Sequence, residues 1–122
     1  MTILLEPINR YETNIFNTLA QGMNVVRELG CSNLRLLADT FHMNLEEASY
    51  RQALTETGSF LGYVHFADSN RLAPGWGHTD FRGIFQILRE IGFDGPLGIE
   101  VLPKPSDNEA AEQGVKFLNS LF

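Results

Sequence analysis

Four short apolar runs alternate with four stretches in which apolar residues recur at helical spacing. The first run is TILLEPI. After it, Ile15, Leu19, Gly22, Val26 and Leu29 fall on one helical face, and Gly30 suits a helix stop. The second run is LRLLADTF, after which Asn44 is placed to cap a helix over roughly Leu45 to Thr57, ended by Gly58. The third run, LGYVHFAD, leads through the long loop SNRLAPGWGHT to Phe81, Ile84, Phe85, Leu88 and Ile91, before Gly92. The fourth run is PLGIEVLP, and Asp107 is placed to cap a last helix with Ala111, Val115, Leu118 and Phe122 inward. The order βαβαβαβα predicts an α/β fold with a parallel sheet and crossover helices, one (βα)4 domain over residues 1–122. Two architectures fit: a small doubly wound sheet, or half of an eight-stranded barrel, which takes about 250 residues.

The strand ends discriminate between them. Each run closes on a side chain that can bind a metal: Glu6, Asp39, His65 and Glu100. Successive members are 33, 26 and 35 positions apart, each close to one βα repeat of roughly 30 residues. Parallel strands bring all four to the C-terminal edge, where barrel active sites lie. Leu4 with Glu6, Leu37 with Asp39, Tyr63 with His65 and Gly98 with Glu100 share faces, so the four can point into one mouth. Singly, each has an ordinary explanation as a loop carboxylate, a cap or a hydrogen-bonded core histidine. Independent chance does not readily give four at matching positions.

Three carboxylates packed together repel and take up protons, and a divalent cation removes that conflict. Two Glu, one Asp and one neutral His suit Mn²⁺, Mg²⁺ or Co²⁺ better than a thiolate zinc site. Glu12, His42 and Arg71 follow the candidate ligands at short intervals, above the same mouth. Arg71 is either a cation for a substrate oxygen or a solvated loop residue. Trp76 either walls the pocket or covers the barrel, and His78 reads as a surface residue. Lys104 and Ser106, after the fourth run, either contact a phosphate or face water.

Charge and composition narrow the setting. The formal net charge is -6 with nine Lys and Arg, which argues against nucleic acid and anionic membranes. A hydrophobic content of 43% over 122 residues supports a folded core. The lone cysteine, Cys31, permits no intrachain disulfide, and no run approaches the roughly 20 residues of a membrane span. The start, MTILLEP, lacks a basic signal-peptide region, so a cytoplasmic protein is expected.

The strings LEPINRYE, ADTFHMN, VHFADSNRLAPGWGHTDF and GIEVLP resemble, in order and spacing, the site motifs of the xylose-isomerase-like sugar isomerases and epimerases. The similarity is strongest to the ketose 3-epimerases, the D-tagatose and D-psicose 3-epimerase group. The resemblance implies that Glu6, Asp39, His65 and Glu100 bind a divalent metal, usually Mn²⁺, with Co²⁺ or Mg²⁺ as alternatives. It implies that Glu6 and Glu100 are the acid/base pair, and that Glu12, His42 and Arg71 hold substrate oxygens. The reaction implied is inversion at C3 of a ketose, by proton abstraction and return through a metal-stabilised enediolate.

The resemblance covers only the C-terminal half of a full barrel. The sequence therefore also admits a homodimer or pairing with an N-terminal half, which would cover the sheet edges. The substrate expected is a small sugar or sugar phosphate. An aldose–ketose isomerase of the hydroxypyruvate-isomerase kind uses the same metal, but Glu12 and Arg71 favour the epimerase. A DNA-repair endonuclease of the same broad fold would need a basic face. A half-barrel acting only as a folding or oligomerisation module is the alternative outside enzymes.

Overall fold

A computed structural model describes residues 1–121. The strands are β1 (Ile3–Leu5), β2 (Leu34–Asp39), β3 (Leu61–Phe66) and β4 (Leu97–Ile99), all parallel and in the spatial order β1-β2-β3-β4. A doubly wound sheet reverses its strand order at a switch point. This sheet does not reverse, which is the progression of a barrel. The helices are α1 (Leu19–Leu29), α2 (Thr40–Glu46), α3 (Tyr50–Thr57), α4 (Phe81–Glu90) and α5 (Asp107–Asn119). No described helix is long and apolar enough to cross a membrane.

The core lies between one face of the sheet and the helices. Leu36 and Ala38 of β2, and Val64 and Phe66 of β3, alternate along their strands and are fully buried. They meet Leu19, Met23 and Val26 of α1, Leu54 of α3, and Phe81, Ile84 and Leu88 of α4. The small residue at Gly22 is required by this packing. A Cβ there would stand 2.8 Å from Leu36 Cδ2 and 3.0 Å from Pro7 Cγ. Among the described residues β1 and β4 each pair on one side only. Ile3 and Leu4 of β1 are accordingly 49% and 37% exposed.

Several element boundaries differ from the sequence expectation. The helix expected over Leu45 to Thr57 is two helices, and Asn44 lies inside the first. Asp39 caps α2, its Oδ1 accepting from Phe41 N at 2.9 Å and His42 N at 3.1 Å. Ser49 caps α3 through Gln52 N, and the extended backbone at Glu47 separates the two. Helix α1 starts at Leu19 because Thr18 and Gln21 form a capping box. Ile15 lies outside it and is 77% exposed. Gly30 ends α1 in the left-handed conformation, φ 61°, as expected. Ser106, rather than Asp107, caps α5, and Asp107 is the first helical residue. The inward face of α5 is set by Ala110, Gly114, Phe117 and Leu118, whereas Ala111 and Val115 are exposed. Phe122 lies outside the described residues.

Candidate functional site

The four candidate ligands converge at the C-terminal edge of the sheet. Asp39 is the last residue of β2, His65 the penultimate residue of β3, and Glu6 and Glu100 directly follow β1 and β4. Parallel pairing sets Asp39 opposite His65 and His65 opposite Gly98. One ligand atom from each of the four lies within 4.8 Å of the others. His65 Nδ1 stands 3.9 Å from Glu6 Oε1, 3.7 Å from Asp39 Oδ2 and 3.5 Å from Glu100 Oε2. These separations are long for hydrogen bonds. They match donors that share a cation about 2.1 Å from each, which stand about 3–4 Å apart.

The hydrogen-bond accounting supports the same arrangement. Glu6 Oε1, Asp39 Oδ2 and His65 Nδ1 are buried without partners, three of only four such atoms among the described residues. Buried polar atoms are otherwise nearly always satisfied. Burial, reinforced by the Asp39 and Glu100 carboxylates, pushes the Glu6 carboxyl up to about 7, with Arg71 opposing. The metal-free chain thus relieves its carboxylate repulsion by holding a proton. A divalent cation relieves it without one, and the donor set of two Glu, one Asp and one imidazole fits a hard or borderline ion.

Arg71 reaches into this cluster. Its Nη1 donates to Asp39 Oδ1 at 2.7 Å, its Nη2 bonds Glu100 Oε2, and its guanidinium lies 5.0 Å from the Phe41 ring centroid. The residue sits at φ 62°, the one described non-glycine with positive φ. Its backbone is held on both sides: Arg71 N donates to Asp68 O at 2.8 Å, and Arg71 O accepts from Leu102 N at 2.8 Å.

The loop carrying Arg71 is built around Asp68, a residue that the strand-end spacing does not single out. Asp68 Oδ1 accepts from Ser69 N and Thr79 N, and Oδ2 from Gly75 N and Gly77 N, at 2.8–3.0 Å. Burial alone would raise this carboxyl, but the four backbone donors outweigh it and hold it below its ordinary value. Gly77 permits the approach, since a Cβ there would stand 2.4 Å from Asp68 Oδ1. The sequence signal was an Asp followed by a loop rich in glycine, whose free N–H groups need an acceptor. Trp76 is partly exposed on this loop and His78 is on the surface, as expected for His78.

Glu12 and His42 meet through a third residue, Asn9. Asn9 Nδ2 donates to Glu12 Oε1 at 2.7 Å and lies 2.9 Å from His42 Nδ1. Glu12 is exposed, while Asn9 and His42 are buried. Burial holds the imidazole of His42 below its ordinary range, partly offset by Asp39. Arg10 anchors the same loop to α2, bonding Glu46 Oε1 through its backbone N at 2.6 Å and Nε at 2.9 Å. The Ser106 hydroxyl is engaged in capping α5, and Lys104 is exposed.

A parallel sheet of barrel progression, with a carboxylate–imidazole cluster across its C-terminal edge, defines the metal-capable half of a (β/α) barrel. The chain belongs to the family described as xylose isomerase-like TIM barrel, which it matches over residues 1–121. It is 41% identical over 100 residues to an L-ribulose 3-epimerase of Mesorhizobium japonicum, covering 82% of this chain and 34% of that protein. It is 36% identical over 104 residues to a D-psicose 3-epimerase of Agrobacterium fabrum, covering 85% and 36%. Its structure is similar to a crystal structure of D-allulose 3-epimerase from Methylomonas sp., with a TM-score of 0.92 and 31% identity, covering all of this chain and 49% of that one. The chain thus spans about a third of the length of these curated relatives, and about half of the solved structure.

Proposed function

We propose that this chain is the site-bearing half of a metal-dependent ketose 3-epimerase. The observation that carries the reading is the cluster of Glu6, Asp39, His65 and Glu100, with three of its donor atoms buried and unpartnered. The names of the relatives, L-ribulose, D-psicose and D-allulose 3-epimerases, support the substrate class. Mn²⁺ is the preferred ion, with Co²⁺ or Mg²⁺ as alternatives. Bound there, the metal supplies Lewis acidity that stabilises the charge developing on the substrate oxygens next to C3.

The remaining chemistry belongs to this chain's own side chains. One of Glu6 and Glu100 takes the C3 proton, and the other returns a proton to the opposite face. That the two follow the outermost strands, β1 and β4, supports their acting on opposite faces of the substrate. Glu12, His42 and Arg71 hold substrate oxygens, and Arg71 exchanges part of its bonding with Asp39 and Glu100 for the sugar. With Ser106 committed to α5, Lys104 alone remains for a phosphate after β4, which favours an unphosphorylated ketose. The reading includes a cytoplasmic location and no nucleic-acid partner, supported by the single cysteine and the net charge of -6.

The open edges favour a second element of the reading. Exposed Ile3 and Leu4 on β1 suit pairing with a second copy or with an N-terminal half. Size-exclusion with light scattering reads the association directly. A chain that stays monomeric with metal bound excludes pairing with a second copy.

The activity test is incubation of the Mn²⁺-loaded chain with D-fructose, D-psicose, D-tagatose and L-ribulose in deuterated water. Deuterium at C3 is expected, whereas exchange at C1 would indicate the aldose–ketose isomerase. No exchange with any of these ketoses, with metal bound, refutes an epimerase active in this chain by itself. Glu100→Gln should weaken both metal binding and exchange; if both are untouched, the site assignment is wrong.

A further inference from the structure

We propose that Asn9 is a positioning residue that fixes His42 as the Nε2–H tautomer, so that this ring faces the mouth as a hydrogen-bond donor. The inference begins with the orientation of the Asn9 amide. Asn9 Oδ1 accepts from Tyr11 N at 3.0 Å. A backbone N–H can only donate, so the oxygen end is assigned and the amino end faces the other way. That amino end meets Glu12 Oε1 at 2.7 Å and His42 Nδ1 at 2.9 Å. The Asn9 backbone N–H is directed at the same Nδ1, at 3.3 Å.

Two donors therefore converge on His42 Nδ1. A proton on that nitrogen would confront both, in a place where no water competes, since Asn9 is 2% and His42 4% exposed. The lone pair must lie at Nδ1, and a neutral imidazole then carries its proton at Nε2. His42 Nε2 makes no hydrogen bond to any described residue and is not among the buried unpartnered atoms, so it keeps accessible surface at which a ligand oxygen could accept. The complement of a fixed N–H is an acceptor lone pair, which a substrate carbonyl or hydroxyl oxygen carries, whereas the alternative tautomer would require a hydroxyl proton. Resting on the reading of His42 as a substrate contact, the inference thus assigns it as a donor to a substrate oxygen rather than as an acceptor from a hydroxyl. Asn9 also holds the Glu12 carboxylate, so one buried amide orients both groups.

The test is a long-range ¹H–¹⁵N correlation spectrum of the Mg²⁺-loaded chain, whose ion is diamagnetic. His42 is assigned as the pattern missing in His42→Gln. Expected is an unprotonated Nδ1 and a protonated Nε2. Asn9→Asp replaces the amide donor with an acceptor and should invert the pattern, moving the proton to Nδ1. A protonated Nδ1 in the unmodified chain overturns the proposal without need of any variant. An unchanged pattern in a folded Asn9→Asp also overturns it. In the exchange assay, inversion should lower kcat/KM about 10-fold, and an exchange rate indifferent to the inverted tautomer would overturn the donor role. If the tautomer is as assigned and no ketose exchanges, the reading of this chain as an epimerase active by itself fails while the positioning of His42 by Asn9 stands.

Discussion

The proton on Glu6 gives the site a measurable signature before any substrate is found. The carboxyl moves from its ordinary 4.5 to about 7 in the folded, metal-free chain, through burial and the neighbouring Asp39 and Glu100. Between those pH values the folded chain holds a proton that the unfolded chain has released. Stability from this group is therefore full below about pH 4.5 and is lost as the pH rises through about 7. The whole displacement corresponds to about 3 kcal/mol. Glu6 is 27% exposed at its side chain, and solvent screening reduces the figure to about 1–2 kcal/mol. Other groups titrate nearby: the Glu47 carboxyl, raised by burial, adds in the same direction, and His42, lowered by burial, acts in the opposite one. The useful quantity is thus the difference between the unmodified chain and Glu6→Gln. Urea unfolding followed by circular dichroism, with chelator present, should show that difference falling by about 1–2 kcal/mol from pH 5 to pH 8. With Mn²⁺ the trend should reverse, because ligand carboxylates must release their protons to bind it. A difference that stays flat with pH in chelator would refute the crowded-carboxylate account.

Other expectations follow from the same contacts. Mn²⁺ at a hundredfold its Kd should raise the unfolding free energy by about 2.7 kcal/mol, and Asp39→Asn should abolish that gain in a calorimetric or urea titration. Asp68→Asn turns one acceptor oxygen toward two backbone N–H groups as a donor, and should cost about 2–4 kcal/mol by urea unfolding. It should also raise KM through Arg71 if exchange is observed; a loss below about 0.5 kcal/mol would contradict the loop account. Gly22→Ala gains about 1 kcal/mol of helix propensity. It drives a Cβ to 2.8 Å from Leu36 Cδ2, for an overpacking cost of about 1–3 kcal/mol. A net decrease in Tm is expected, and an increase would show that α1 can shift off β2.

Much of the site is legible in the sequence. A strand-end side chain capable of metal binding, repeated once per βα unit, requires only that the strands be parallel for Glu6, Asp39, His65 and Glu100 to meet. Chain periodicity carries that information, because strand and helix leave different spacings of apolar residues. Boundaries were less legible, since caps are local competitions. Asn44 and Asp107 are chemically suitable caps, yet Asp39 and Ser106 lie closer to where the chain leaves its strand or loop. The second helix is split in two because Glu47 adopts an extended backbone and its carboxylate accepts from Leu19 N at 2.7 Å, a partner 28 positions away. The inward face of α5 likewise depends on which residues the sheet presents, and Ala110 and Gly114 fit where Val115 does not.

By itself, then, the sequence determined the alternation of elements, the parallel sheet and the identity of four candidate ligands, all of which rest on local spacing and side-chain chemistry. Tertiary structure alone decided the absence of partners at three buried donor atoms and the proton held by Glu6. It also decided the two buried hubs. Asp68 collects four backbone donors from a loop, and Asn9 joins Glu12 to a histidine 33 positions on. Such roles depend on which donors face a given acceptor after folding, and no spacing along the chain encodes that orientation.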